Sequence, residues 1–180
     1  MLFFPASFYH AEELVALINS AYRGAVSKQG WTSEADLLDG RRTDKNEILR
    51  LLTDEDSLLI CGQLDGQLVA SVLLLHVDQQ AQISMLAVSP HYQRQGIGKK
   101  LLQQAELIAQ QTWSVNRFVM YVISSRTELI AFYERRSYQR TGVLIAFPEK
   151  PDLWVSKVPD LRLERLEKQS DTHSANNFAP

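Results

Sequence analysis

Ser89-Pro90-His91-Tyr92-Gln93-Arg94-Gln95-Gly96-Ile97-Gly98-Lys99-Lys100 is the stretch on which the reading of this sequence turns. Before it lies an apolar run, about Gln82 to Val88, that reads as a strand. After it comes a segment from about Gly98 to Thr112 in which Leu101, Leu102, Ala105, Ile108 and Ala109 recur at helical spacing. The order is therefore strand, loop, helix. His91, Arg94, Lys99 and Lys100 supply basic or potentially basic side chains, and no acid interrupts them. Two glycines without Cβ atoms let a ligand approach the backbone closely, and the first N–H groups of the helix are unpaired and carry the positive end of its dipole. Such a turn suits a phosphate. The glycine spacing alone fits an ordinary tight turn equally well. A dinucleotide fingerprint needs glycine where Leu101 stands, and the P-loop pattern G-x-x-x-x-G-K-[ST] does not occur.

Outward from this stretch, strands are expected at Ser57 to Leu64 and Gln67 to Val77, joined by Asp65-Gly66, a strong hairpin signal. Leu14, Leu17, Ile18 and Ala21 mark a first helix of about Phe8 to Tyr22 behind Ser7. Short helical patterns follow at Ser33 to Leu38 and Asp44 to Thr53. Beyond the loop, Arg117 to Ile123 reads as a buried strand, Thr127 to Arg136 as a helix and Tyr138 to Phe147 as a strand. Leu161, Leu163 and Leu166 alternate with charges and read as a final edge strand, with a short amphipathic helix as the alternative. The alternation of elements places the chain in the α/β class.

With 180 residues, the chain builds one core, so the expected organisation is one domain over 1–168 and a flexible polar tail over 169–180. A formal net charge of -2 gives no general attraction to nucleic acid or to an anionic membrane, so any anion site must be local. Cys61, the only cysteine, excludes an internal disulfide and reads as a buried, inert thiol. The longest apolar run, Leu68 to Leu75, is far short of the roughly 20 residues that span a bilayer. The start lacks a basic leader, so the expected location is the cytoplasm, with no membrane and no nucleic-acid partner. His10, His76, His91 and His173 are scattered, and no cluster has metal-ligand spacing, so no metal is expected.

Gln93-Arg94-Gln95-Gly96-Ile97-Gly98 matches Q/R-x-x-G-x-G/A, and the segment with its lead-in Met85 to Pro90 resembles the acyl-CoA signature of the GNAT acetyltransferase superfamily. A second stretch, Leu129-Ile130-Ala131-Phe132-Tyr133-Glu134-Arg135-Arg136-Ser137-Tyr138, is similar to the family's late helix A-x-x-F-Y-E-x-x-G-[FY]. The resemblance runs from about Ala11 to Glu167. It implies a mixed, largely antiparallel central sheet flanked by helices. It also implies acetyl-CoA as cosubstrate, and direct transfer of acetyl to the amine of a small molecule or peptide. By the same resemblance, the main chain of Leu86, Ala87 and Val88 pairs with the pantetheine arm. Backbone amides from Arg94 through Gln95, Gly96, Ile97, Gly98 and Lys99 hold the pyrophosphate, and Gln93 opens the motif.

Tyr133 falls on the family's general-acid position, where a phenol of ordinary pKa near 10 can protonate a departing thiolate. On composition alone, a tyrosine on an amphipathic helix is core packing. Ser137 stands where the family has glycine. Gln82 and Ser84 occupy the region where relatives carry a carboxylate base, which leaves the base unassigned. Glu34 and Asp36, after Gly30-Trp31-Thr32-Ser33, are the nearest candidates, Glu34 being preferred, against a reading of Ser33 as a helix N-cap with first-turn acids. His76 and a relaying water stay open. The rival readings are an acyl-CoA sensor without catalysis and, more weakly, a nucleotide-binding domain. A final edge strand offers a homodimer surface.

Overall fold

In the computed structural model, which describes residues 1–170, strand β1 (Leu2–Pro5) leads through a short 3-10 turn into helix α1 (Ala11–Tyr22). The short helix α2 (Gly24–Ser27), strand β2 (Leu38–Gly40) and helix α3 (Lys45–Thr53) precede three long strands, β3 (Ser57–Leu64), β4 (Gln67–Val77) and β5 (Gln80–Val88). Helix α4 (Ile97–Trp113), β6 (Arg117–Ile123), α5 (Thr127–Glu134), β7 (Gln139–Ala146), β8 (Trp154–Ser156) and β9 (Arg162–Gln169) complete the order. The main sheet runs β1-β3-β4-β5-β6-β9-β7, antiparallel except for β5 against β6, and β2 pairs separately with β8.

Helices cover both faces of this sheet because its strands bury side chains on both. Leu14 and Ile18 of α1 and Ile48 of α3 pack on Leu59, Cys61 and Leu73; Leu101, Leu102 and Ala105 of α4 pack on the opposite face against Val72 and Leu74. The Asp65-Gly66 hairpin forms as expected, both residues at positive φ (49° and 81°), the geometry a tight two-residue connection requires. Cys61 is buried, and desolvation pushes its thiol up to about 12, as an inert core cysteine should be.

One irregularity positions the site. Opposite Val72 alone, β5 places two residues, Met85 and Leu86, and Met85 takes φ 45°. Such a bulge exchanges the two faces of a strand. Ala81 and Ile83 accordingly lie with the α4 core, whereas Met85 and Ala87, which unbroken alternation would put beside them, lie with the α1 core. β5 meets β6 only at Ala81↔Phe118 and Gln82↔Val119, and beyond Gln82 the two parallel strands diverge.

Four expectations change. Ser33 to Leu38 is a turn and not a helix: the Leu37 and Leu38 N–H groups both donate to Glu34 O (2.9 Å each), and the chain then extends into β2. Ser33 is therefore no helix cap; its hydroxyl meets Ser27 Oγ at 2.5 Å and accepts from Ala35 N–H at 3.1 Å. The last strand, β9, is not an edge: it inserts between β6 and β7, which makes β7 the edge. Its charges misled because they are neutralised across the sheet. Buried Glu164 takes both ends of Arg140 (2.7 and 2.6 Å), Glu167 takes Arg117 (2.7 Å), and Lys168 donates to Glu106 (2.6 Å). Finally, β9 runs one residue past the expected domain end. The rest of the expected tail, 171–180, lies outside the described residues. No helix among them is long and apolar enough to cross a membrane.

Candidate active site

Helix α4 starts behind Gly96, whose φ of 78° would strain any side chain. The first bond of the helix runs from Lys100 N–H to Gly96 O (3.1 Å), so the N–H groups of Ile97, Gly98 and Lys99 precede the intrahelical ladder. A Cβ on Gly98 would stand in ordinary contact with Val88 Cγ2 (3.7 Å) and Phe132 Cζ (3.8 Å). Packing within the protein therefore does not demand glycine there. The bare Cα opens onto a cleft of about 390 Å³. Arg94, Lys99, Arg126, Arg135 and Arg136 line this cleft, and among the described residues no acidic side chain does. Clustered donors, a helix N-terminus and the cations Arg94, Lys99, Arg135 and Arg136 fit a pyrophosphate.

The motif residues divide by position. Arg94, Gly96, Gly98 and Lys99 line the cleft; Gln95 is exposed, its side chain turned back to His91 O (3.3 Å), and the Ile97 side chain is in the core. Gln93 is a strut: its Oε1 accepts from Trp31 N–H (2.5 Å) and its Nε2 donates to Val88 O (3.0 Å). A Cβ on Gly30 would stand 2.5 Å from that same oxygen, so glycine is what lets the Trp31 loop close on the motif.

A second chamber of about 610 Å³ lies on the other side of the β5–β6 divergence, lined among others by Arg42, Glu47, Gln82, Ser84, Tyr121 and Trp154. Tyr22, Leu86, Arg126, Leu129 and Tyr133 line both spaces and form their junction. Ser89 N–H donates to Val69 O (2.8 Å), so by antiparallel alternation Ala87, opposite Ser71, directs its peptide groups at β4. Those of Leu86 and Val88 are directed to the open side. Both of their carbonyls are taken there, Leu86 O by the Tyr22 hydroxyl (3.0 Å) and Val88 O by Gln93. Their N–H groups are the donors that remain. Of the three expected main-chain partners, Ala87 thus faces the sheet, and Leu86 and Val88 face the cleft.

Tyr133 is buried at the junction, its ring edge-on to Phe132 and Tyr138 (5.2 and 5.9 Å). Among the described residues its hydroxyl makes no hydrogen bond. Burial, reinforced by nearby Tyr22, pushes this phenol well above its ordinary value, so it is a proton donor throughout the usual pH range.

Glu34 reaches the second chamber but is not a free carboxylate. Arg23 engages its Oε2, and Arg126 donates to its Oε1 (2.7 Å) while also binding the Thr32 hydroxyl. All three ion-paired side chains are buried or nearly so, an arrangement that fixes Arg126 at the junction and engages both carboxylate oxygens. The chamber's other acid, Glu47, accepts from Thr43 (2.8 Å) and Lys150 (3.0 Å). Asp36 is exposed and paired with Lys28 (2.5 Å), and His76 stacks on Trp113 at 5.2 Å outside either space. The structure thus places Glu34, expected as a base, in two ion pairs at the edge of the second chamber, and it brings to the cleft Tyr22, Arg126, Arg135 and Arg136, which sequence reasoning did not single out. The adjacent Arg135-Arg136 next to Tyr133 was a readable signal for an anion site. Arg126 and Tyr22 reach the junction only through the fold, and nothing local marks them. Ser137 does adopt φ 69°, the conformation for which glycine is favoured.

Residues 12–138 match the model of the Acetyltransferase (GNAT) family. No curated protein sequence matches the chain. Among solved structures, the ribosomal-protein-S18-alanine N-acetyltransferase from Escherichia coli superposes with a TM-score of 0.70 at 14% identity, covering 99% of both chains. Ribosomal-protein-alanine N-acetyltransferase from Brucella melitensis gives 0.71 at 14%, covering 94% of this chain and 100% of that one. A variant of spermidine N-acetyltransferase from Vibrio cholerae gives 0.68 at 11%, covering 94% and 95%. At such identities the likeness is one of fold. Among the described residues no group of His, Cys, Asp or Glu could hold a metal ion.

Proposed function

The chain belongs to the GNAT acetyltransferase family, and on that premise we propose that it moves an acetyl group from acetyl-CoA to a primary amine by direct transfer, with both substrates bound together. The observation that carries this reading is the meeting of two chambers at Leu86 and Tyr133, one lined by cations without acids and the other of mixed charge. Acetyl-CoA supplies an activated thioester. Backbone amides from Arg94 through Lys99, with the side chains of Arg94, Lys99, Arg135 and Arg136, bind its pyrophosphate, and the main chain of Leu86 and Val88 faces its pantetheine arm.

Leu86 N–H is the donor for charge that grows on the carbonyl oxygen as the amine nitrogen attacks. Tyr133 O–H gives its proton to sulfur as the C–S bond breaks, and the proton released by the attacking nitrogen, carried by water, restores the phenol. Glu34 positions Arg126 and takes no proton, so the acceptor loses its proton to water. No covalent enzyme intermediate is required, and holding both substrates at the junction supplies the proximity. The solved neighbours are named for acceptors as different as a protein alanine and spermidine, so the shared fold does not choose the acceptor.

Thiol release from acetyl-CoA with a panel of primary amines, and mass spectrometry of the products, tests the reading. Amine-dependent release with an N-acetylated product is the expected result. Saturable acetyl-CoA binding with no turnover on any amine would instead identify an acyl-CoA sensor.

A further inference from the structure

Three cations line the acceptor chamber, and two of them are matched. Arg126 is paired with Glu34 and Lys150 with Glu47. Arg42 is the third, and among the described residues its guanidinium makes neither an ion pair nor a hydrogen bond. It is nevertheless held in place. Asn19 Oδ1 accepts from the Arg42 and Thr43 N–H groups (2.6 and 3.2 Å), and Asn19 Nδ2 donates to Thr43 O (3.0 Å), which pins the backbone. The guanidinium lies over the rings of Tyr22 (5.6 Å) and Trp154 (5.9 Å). Arg42 lines the chamber, and among the described residues nothing receives its N–H donors.

We propose that Arg42 anchors a carboxylate carried by the acceptor, so that the amine substrate is a small amino carboxylate and not a simple amine or a polyamine. This deepens the acyl-transfer reading above and rests on it. A planar guanidinium lying over aromatic rings matches a carboxylate in a bidentate manner, and a half-buried setting strengthens the pair relative to open water. The same Tyr22 that carries Arg42 donates its hydroxyl to Leu86 O, at the strand where the chambers join. The carboxylate anchor and the transfer point are thus separated by one tyrosine ring, a span suited to a short molecule. A polycationic amine would meet the unmatched charge of Arg42 and find both chamber acids occupied. Leu73, Leu75, Ile83, Met120 and Leu163 add an apolar wall for the acceptor's side chain.

The test uses the full chain with acetyl-CoA and three matched probe sets: free leucine, methionine and phenylalanine; their α-amides; and the corresponding decarboxylated amines, with spermidine as a polycation. For the free acids, kcat/KM is expected to exceed that of the amides and amines by at least about tenfold. Arg42→Ala and Arg42→Gln are expected to lose this preference, on the order of 10- to 100-fold, chiefly through KM, and Arg42→Lys to recover part of it. Equal use of acids and amides by the wild type, or a preference that survives Arg42→Ala, overturns the proposal while leaving acyl transfer intact. Thermal shift of the CoA-loaded protein by the same probes reads binding without turnover. A shift confined to free acids and lost in Arg42→Gln supports the anchor even where no amine reacts, a result that sinks the transfer reading alone. Absence of any acid-specific shift sinks the anchor.

Discussion

Tyr133→Phe removes one hydroxyl and, in this structure, no hydrogen bond. The edge-on packing of the ring against Phe132 and Tyr138 is kept, so stability should change by no more than about 1 kcal/mol. Loss of activity is then separable from loss of fold. General acid catalysis typically contributes about 10²- to 10⁴-fold. Here the leaving group is a thiolate of ordinary pKa near 8.5, which departs readily enough to place the effect at the lower end. The expected loss is about 10²-fold in turnover, equivalent to about 2.7 kcal/mol of barrier, with KM for acetyl-CoA unchanged. Because burial raises the Tyr133 phenol above its ordinary value, the wild type should show no loss of this proton donor up to about pH 10. Thiol release gives the steady-state rate, and rapid-quench single turnover establishes whether chemistry limits it. Turnover within about threefold of wild type, under conditions where chemistry is limiting, would refute the acid role.

Three further outcomes follow from other parts of the structure. Glu34→Gln strips the carboxylate from buried Arg23 and Arg126 and should cost about 3–5 kcal/mol, lowering Tm by roughly 6–20 °C in calorimetry; lost turnover with unchanged melting would return Glu34 to the role of base. Ser137→Gly relieves a left-handed φ of 69° and should stabilise by roughly 0.5–1 kcal/mol after the added unfolded-state entropy, raising Tm by about 1–4 °C; a decrease would contradict the strain argument. The hydrogen bonds and charge of Arg140 hold the Glu164 carboxyl below its ordinary value of 4.5, so its contribution is present above that pH and fades as pH falls through the depressed folded value; melting curves of wild type and Glu164→Gln should converge on acidification, and parallel curves would exclude the linkage.

The glycine turn that opens α4 was legible because its signal is local: two glycines and clustered cations occupy one short stretch between a strand and a helix. The second chamber was not, because its walls come from Tyr22, Arg42, Gln82, Tyr121 and Trp154, which only the tertiary fold brings together. Ser33 to Leu38 had a helical pattern with a plausible cap, yet pairing of Leu38 to Gly40 with Trp154 to Ser156 draws the chain into extended form, a tertiary override of local preference. In β9 the alternating charges suggested an edge. Paired charges, however, are as compatible with a strand between two neighbours as with an exposed one, and sequence does not disclose the pairing. The ion pairs of Glu34 were not legible, since its arginine partners lie 11 residues before it and 92 after it in the chain.

The bulge at Met85 connects these observations. Without it, β5 would keep the same residues facing α4 to its end, beyond the point at Gln82 where its pairing with β6 stops. By inserting one residue, the strand turns its later peptide groups toward the β5–β6 divergence and gives Leu86 a carbonyl for Tyr22 and an N–H for the cleft. Tyr22 then ties the floor of the acceptor chamber to the transfer point, and Arg42 rests on its ring. A perturbation at Tyr22 should therefore disturb both chambers together, whereas Lys99 should act on the cofactor side alone and Arg42 on the acceptor side alone. That separation of effects is what a site organised around one irregular strand entails.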